Sequence, residues 1–276
     1  MIDPLRFRLF IALLLAAIVA QMVFALFPGL DLRVSAMFFD ATGAFPAHSG
    51  PWVLLNDLIR MGGEALAFAI VIGVIAGKIG GVLRQAEMRC AAYLAANLLL
   101  APGLLVNGLL KSHVGRARPD QVAEFGGLAT FTPAWQVTDQ CARNCSFSSG
   151  DVALIATLVL GGLVLAWPHL SRLQKSLGTL GGLALVLGTG LLRIALGRHF
   201  LSDVVFSMLF SAAMALALYP LFGIGAARLE LRPRRIGQGA RQVLQRTTTQ
   251  LMSRSRPVMA SAASRLRATL PPQPPV

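Results

Sequence analysis

The sequence predicts an all-α integral membrane protein, a bundle of six transmembrane helices. Three observations predict it. The chain of 276 residues is 55% hydrophobic and only 13% charged, with a mean hydropathy of +0.66; a soluble domain carries about 25% charged residues. Six apolar segments, at 9–27, 63–83, 90–110, 152–168, 178–196 and 204–223, are each long enough to cross roughly 30 Å of hydrocarbon. Backbone groups in lipid must pair within their own segment, and no barrel-type alternation is present, so these segments are helices.

Taken in order, the first segment follows Arg6 and Arg8. Val-Phe-Ala at 23–25 offers a signal-peptide reading, but the apolar core is longer than that pattern has, so the segment is taken as a span. The second is the weakest, with Glu64 at one end and Lys78 snorkelling at the other. The third opens at Cys90 and ends before Lys111. The fifth carries "GTLGGLALVLGTG", whose small residues suit close helix packing.

Lys and Arg set the orientation. Arg6 and Arg8, then Lys78, Arg84 and Arg89, then Arg172 and Lys175, all fall on one side if six helices alternate. Both termini are therefore expected in the cytoplasm, with 28–62, 111–151 and 197–203 on the opposite side. The net charge is +13, and ten Arg against one acid lie in 224–276. We read 1–223 as the membrane domain and 224–276 as a basic, mobile tail that contacts anionic lipid. The tail lacks interleaved aromatics, so no nucleic-acid partner is expected.

The outer side should be poor in cations, yet it carries a cluster. "KSHVGRARP" supplies Lys111, His113, Arg116 and Arg118; "LLRIALGRHFLSD" supplies Arg193, Arg198, His199 and Asp203. A single Arg would be a snorkelling anchor, but cations converging on one face call for an anion, and Arg forks suit phosphate oxygens. His199 and Asp203 share a helical face. An Asp that holds one imidazole nitrogen leaves the other free as nucleophile or base.

"CSFSSGD" at 145–151 precedes the fourth span. Ser148 or Ser149 would cap that helix, with Asp151 in its first turn; alternatively, the free N–H groups of a helix N-terminus would receive phosphate. Cys141 and Cys145 are too few for a zinc site, and they are candidates for a short disulfide if the loop faces an oxidising compartment. Phe38, Phe39 and Trp135 are expected as interface anchors or lipid contacts.

Together the three stretches resemble the type 2 phosphatidic acid phosphatase superfamily of membrane lipid phosphatases. Its Lys-x6-Arg-Pro motif matches Lys111, Arg118 and Pro119. Its Ser-Arg-x5-His-x3-Asp motif matches Arg193, His199 and Asp203, with Leu192 in place of Ser. Its Pro-Ser-Gly-His motif stands here as Ser148-Ser149-Gly150-Asp151. The resemblance implies that Lys111, Arg118, Arg193, Ser149 and Gly150 bind phosphate and that His199 attacks phosphorus, oriented by Asp203. Asp151 replaces the His that protonates the leaving group. Arg116, Arg198 and His113 lie outside the motifs and are expected around the pocket. No metal or other cofactor is implied.

A helix N-terminus and nearby cations favour the carboxylate form of Asp151, while bound phosphate and desolvation favour the acid. The sequence does not choose between them. An acid at this position is similar to some bacterial lipid A phosphatases. The expected function is hydrolysis of a lipid phosphomonoester or pyrophosphate at the periplasmic face of a bacterial inner membrane. Lipid A is the first choice of substrate and partner, then undecaprenyl pyrophosphate or phosphatidylglycerophosphate. The alternatives are a lipid-to-lipid phosphotransferase and a non-catalytic lipid-phosphate binder that lost its acid. Polar groups gathered at one interface argue against a transporter.

Overall fold

A computed structural model describes residues 4–81 and 83–231. Most of the expected Arg-rich tail, 232–276, lies outside the described residues, and so does its proposed contact with lipid.

The elements follow in the order α1 (Pro4–Leu26), α2 (Gly29–Ala36), α3 (Pro51–Ile79), α4 (Gln85–Leu98), α5 (Lys111–His113), α6 (Gly150–Ala166), α7 (Arg172–Ala195), α8 (Leu201–Leu221) and α9 (Ile224–Ala227). A π-helical stretch, Leu99–Leu110, contains Pro102 and joins α4 to α5, so the third crossing runs from Gln85 to His113. Among the described residues, six helices are long and apolar enough to cross a bilayer. The all-α, six-span bundle is therefore observed, and among the described residues the one extended pairing is an isolated bridge between Val122 and Ala129.

Helix α6 is the hub, packed against α4, the π-helical stretch, α7 and α8. Small residues allow this. Gly178 and Gly182 of α7 lie against Leu163 and Val159 of α6, and Gly190 lies against Val204 of α8; a Cβ at Gly182 would come within 2.5 Å of Val159. The "GTLGGLALVLGTG" stretch thus packs helices closely.

Two boundaries differ from expectation. Helix α3 begins at Pro51, a dozen residues before position 63. Its early charges pair along the helix: Arg60 lies 3.2 Å from Asp57 and 3.7 Å from Glu64, spacings that a helical backbone supplies. The expected tail boundary at 223/224 also moves. Ile224, Ala227 and Leu231 are buried with Cys90, Tyr93, Leu165 and Leu218, so the packed body runs on to 231. Spacings of three and four put those apolar residues on one side, and Gly223 at φ +61° turns the chain back onto α4.

The two ends of the bundle differ in content. Arg6 and Arg228 stack over the Tyr219 ring at 5.9 and 5.4 Å. The start of α1 therefore meets the last turn of α8, and the segment after α8 returns to the same ring. The opposite end is closed by α2 and the loops 37–50 and 114–149. There Phe39 packs on Phe45 and Phe125, and Trp135 on Phe147 and Phe206. These aromatics brace loops rather than only anchoring at an interface.

Candidate active site

The loop that carries "CSFSSGD" lies between the other two motif stretches and is bonded to both. Its backbone donates from Cys145 to the Lys111 carbonyl at 3.3 Å, from Ser146 to Arg116 at 2.8 Å and from Ser149 to Asp203 at 3.4 Å. A Cys141–Cys145 disulfide closes its first turn. Lys111 Nζ donates to Asn144 Oδ1 at 3.2 Å, and Arg118 Nη2 to the Asn144 carbonyl at 2.7 Å. Gly115 has φ +70° and presses on the Thr138 carbonyl, so no side chain fits there. That turn lets Lys111, Arg116 and Arg118 reach the same loop although they straddle a helix end.

His199 is completely buried. Its Nδ1 lies 2.8 Å from the Ser146 carbonyl. A carbonyl can only accept, so Nδ1 carries the proton and Nε2 keeps a free lone pair. Nε2 is buried and has no hydrogen-bond partner among the described residues. Burial drives the imidazole pKa down to about 3, against the pull of Asp203, so the ring is neutral near pH 7. A neutral ring with a free lone pair on Nε2 is the form a nucleophile requires.

Asp203 holds His199 less directly than expected. Its Oδ2 is 3.6 Å from Nδ1, farther than the Ser146 carbonyl. The same oxygen accepts from Ser146 Oγ and from the Phe200 N–H at 2.9 Å, which caps α8. Its Oδ1 accepts from Arg116 Nη1 at 2.7 Å. Ser146 is therefore the direct link: its carbonyl fixes the tautomer and its hydroxyl joins Asp203.

Arg193 Nη1 is shared between Asn56 Oδ1 and Asp151 Oδ2, both at 3.0 Å, and its buried Nε has no partner among the described residues. The hydroxyls of Ser148 and Ser149 are buried and equally unpartnered. Neither caps α6, contrary to the capping reading. Gly150 fits against the Asn107 side chain, where a Cβ would clash at 2.6 Å. The first turn of α6 thus presents free hydroxyls and N–H groups between Arg193, His199 and Lys111, a set suited to an anion with several oxygens.

The three residues expected around the pocket separate. Arg116 is fully buried between two carboxylates, Asp31 at 2.8 Å and Asp203 at 2.7 Å. Arg198 lies at the rim, 3.4 Å from Asp120, which also faces His48 at 3.6 Å. His113 is exposed and bonds the Leu109 carbonyl of its own helix, so it stands away from the site. Sequence reasoning missed Asp31, Asn56, Asn144 and Ser146. A lone acid in the apolar run "FPGLDLRV" was the available signal for Asp31; Asn56 gave none beyond its place beside Asp57.

The PAP2 superfamily matches residues 91–224. A lipid A 4'-phosphatase of Rhizobium etli is 33% identical over 215 residues, covering 72% of this chain and 81% of that protein. One from Rhizobium leguminosarum is 32% identical over 217 residues, covering 72% and 90%. The chain belongs to the PAP2 superfamily. A third relative, the lipid A 4'-phosphatase of Francisella tularensis subsp. novicida, is 27% identical over 218 residues, covering 78% of this chain and 96% of that protein. No solved structure matches. Every motif residue of the site, from Lys111 to Asp203, lies inside the PAP2 match, whereas Asp31 and Asn56 lie outside it.

Proposed function

We propose that this PAP2 protein is a metal-independent lipid phosphatase whose nucleophile is His199 and whose first substrate is lipid A. The observation that carries the reading is the neutral His199, with Nε2 free, the charges of Arg193 and Lys111 acting on the ring, and its Nδ1 bonded to the loop that carries two unpartnered Ser hydroxyls. In the reaction, Lys111, Arg118, Arg193, Ser149 and the Gly150 N–H hold the phosphate oxygens. Nε2 attacks phosphorus, the P–O bond to the lipid breaks, and a phosphohistidine forms. Water then attacks phosphorus, its proton passes to the Asp151 carboxylate, and the P–N bond breaks, releasing phosphate and returning Nε2 to its free form. The developing charges are met by groups already in place.

Asp151 has a conditional role in this scheme. In the free site it forms an ion pair with Arg193, Oδ2 lying 3.0 Å from Nη1. When phosphate takes over Arg193, Asp151 loses its cation, takes up a proton with the incoming monoprotonated phosphate and passes it to the leaving lipid oxygen as the P–O bond breaks. A pyrophosphate substrate has a better leaving group and depends less on that proton.

A lipid substrate is supported by an apolar groove of 670 Å³ between α3 and α7, lined by residues such as Trp52, Leu55, Ile59, Thr189 and Leu192. Leu55 and Leu192 are chain neighbours of Asn56 and Arg193, which are bonded to each other. Lipid A is supported by the three relatives of that name. A location in a bacterial inner membrane with the site facing the periplasm is supported by the cation-bearing turns at the opposite end and by a disulfide in the site loop.

The test is phosphate release by purified protein from lipid A, undecaprenyl pyrophosphate and phosphatidylglycerophosphate, each with and without a chelator. Release from lipid A that survives chelation is expected. Inertness on all three lipids would overturn the enzyme reading, and loss on chelation would overturn metal independence. Asp151→Asn belongs in the same panel, with an expected loss of about a hundredfold on the monoesters and less on the pyrophosphate. If Asn costs little on every lipid, Asp151 is not the acid.

A further inference from the structure

A buried carboxylate outside the motifs touches the site through one intermediary. Asp31 belongs to the short α2, beyond the PAP2 match, and is only 1% exposed. Its Oδ2 accepts from Arg116 Nη2 at 2.8 Å and from Ser202 Oγ at 2.6 Å, and its Oδ1 accepts from the Ser202 N–H at 2.8 Å. Arg116 spends its other donors on the Thr132 carbonyl at 2.8 Å, Ser202 Oγ at 2.8 Å and Asp203 Oδ1 at 2.7 Å. The guanidinium also lies over the Phe200 ring at 4.3 Å. One cation is thus shared by two carboxylates in a site without water-facing atoms.

We propose that Asp31 is a positioning residue for the reaction at His199, acting through Arg116 on Asp203. The inference rests on the phosphatase reading. As Nε2 bonds to phosphorus, the imidazole gains positive charge while Nδ1 keeps its proton. Asp203, 3.6 Å from Nδ1, is the nearby anion that stabilises this charge. If Arg116 paired with Asp203 alone, its full charge would offset that stabilisation. Asp31 takes half of the guanidinium fork and leaves Asp203 with a stronger field at His199. Ser202, bonded to both Asp31 and Arg116, fixes the geometry. Removing the Asp31 charge therefore slows the chemical step and leaves phosphate binding alone, because Lys111, Arg118 and Arg193 are not bonded to it.

The experiment compares wild type, Asp31→Asn, Asp203→Asn and the double variant on a lipid that wild type hydrolyses. The readouts are kcat, KM, inhibition by inorganic phosphate and thermal unfolding. Asp31→Asn keeps the shape and one acceptor for Ser202. It is expected to lower kcat about tenfold to a hundredfold, the range for a charged buried hydrogen bond. KM and inhibition by phosphate should stay within about twofold, and in the Asp203→Asn background the same change should cost less than about twofold. Asp31→Glu, which restores the charge, should regain most of the lost kcat, and it serves as the test if the Asn variant does not fold. An unchanged kcat in Asp31→Asn, or the same fold loss in both backgrounds, would overturn the proposal and leave Asp31 a structural cap of α8. An inactive wild type would sink the phosphatase reading, and this inference with it.

Discussion

The first two spans and the last four are built differently. Only 6% of the most apolar window of α1, and 6% of that of α3, is buried inside the protein. The corresponding shares are 39%, 44%, 28% and 33% for the third to sixth crossings. The PAP2 match, 91–224, coincides with the better-packed four. All motif side chains come from those four crossings and the loops between them, so the proposed anion site is made where helices pack closely. The outer part contributes single polar groups: Asn56 from α3 and Asp31 from the α1–α3 connection. Close packing fixes the reacting groups, and peripheral elements lend partners that orient them.

The sharpest test of that division removes the proposed nucleophile from the inner part. His199→Ala is expected to abolish phosphate release, by more than about a thousandfold, while inorganic phosphate still binds. Residual turnover in this variant would remove His199 from its proposed role. Ser149→Ala comes next. Deleting one unpartnered hydroxyl that the proposed reaction gives to a phosphate oxygen should cost about a hundredfold in kcat. A larger rise in KM than fall in kcat would mean that Ser149 binds ground state and transition state alike.

Acid should act on the same inner part. The folded-state pKa of His199 is about 3, against about 6.5 for a free imidazole. Between those values the unfolded chain binds a proton that the folded chain does not. Stability therefore rises with pH across that window and is lost as pH falls through it. His199→Ala should flatten the dependence in thermal unfolding measured from pH 3 to 7. The smallest effect belongs to the outer part. Asn56→Ala removes one acceptor from Arg193 and should change kcat/KM by about tenfold, mostly through KM. A loss exceeding that of Ser149→Ala would break the inner–outer division.

Much of the site was legible because its chemistry comes in fixed spacings. Lys111 to Arg118 and Arg193 to His199 to Asp203 are short-range patterns that a helix end preserves. Ser149 and Gly150 were readable by their place before an apolar run. What escaped were contacts between distant positions: 171 residues separate Asp31 from Ser202, and 137 separate Asn56 from Arg193. No periodicity carries such pairings. The early start of α3 escaped for another reason. Asn56, Asp57, Arg60 and Glu64 interrupt its first turns and break the apolar run there, even though the charges pair along a helix.

Composition and apolar run length by themselves determined six spans, because a backbone in lipid has few ways to satisfy its hydrogen bonds. The motif stretches added that cations gather on the side of the bundle that carries His199. Only the tertiary structure decided which imidazole nitrogen is free, since that depends on the Ser146 carbonyl reaching Nδ1 from another segment. It alone showed the hydroxyls before Asp151 unbonded rather than capping, and Asp151 itself held by Arg193. Directional contacts at about 3 Å depend on how separate elements come together, and only the folded bundle specifies that.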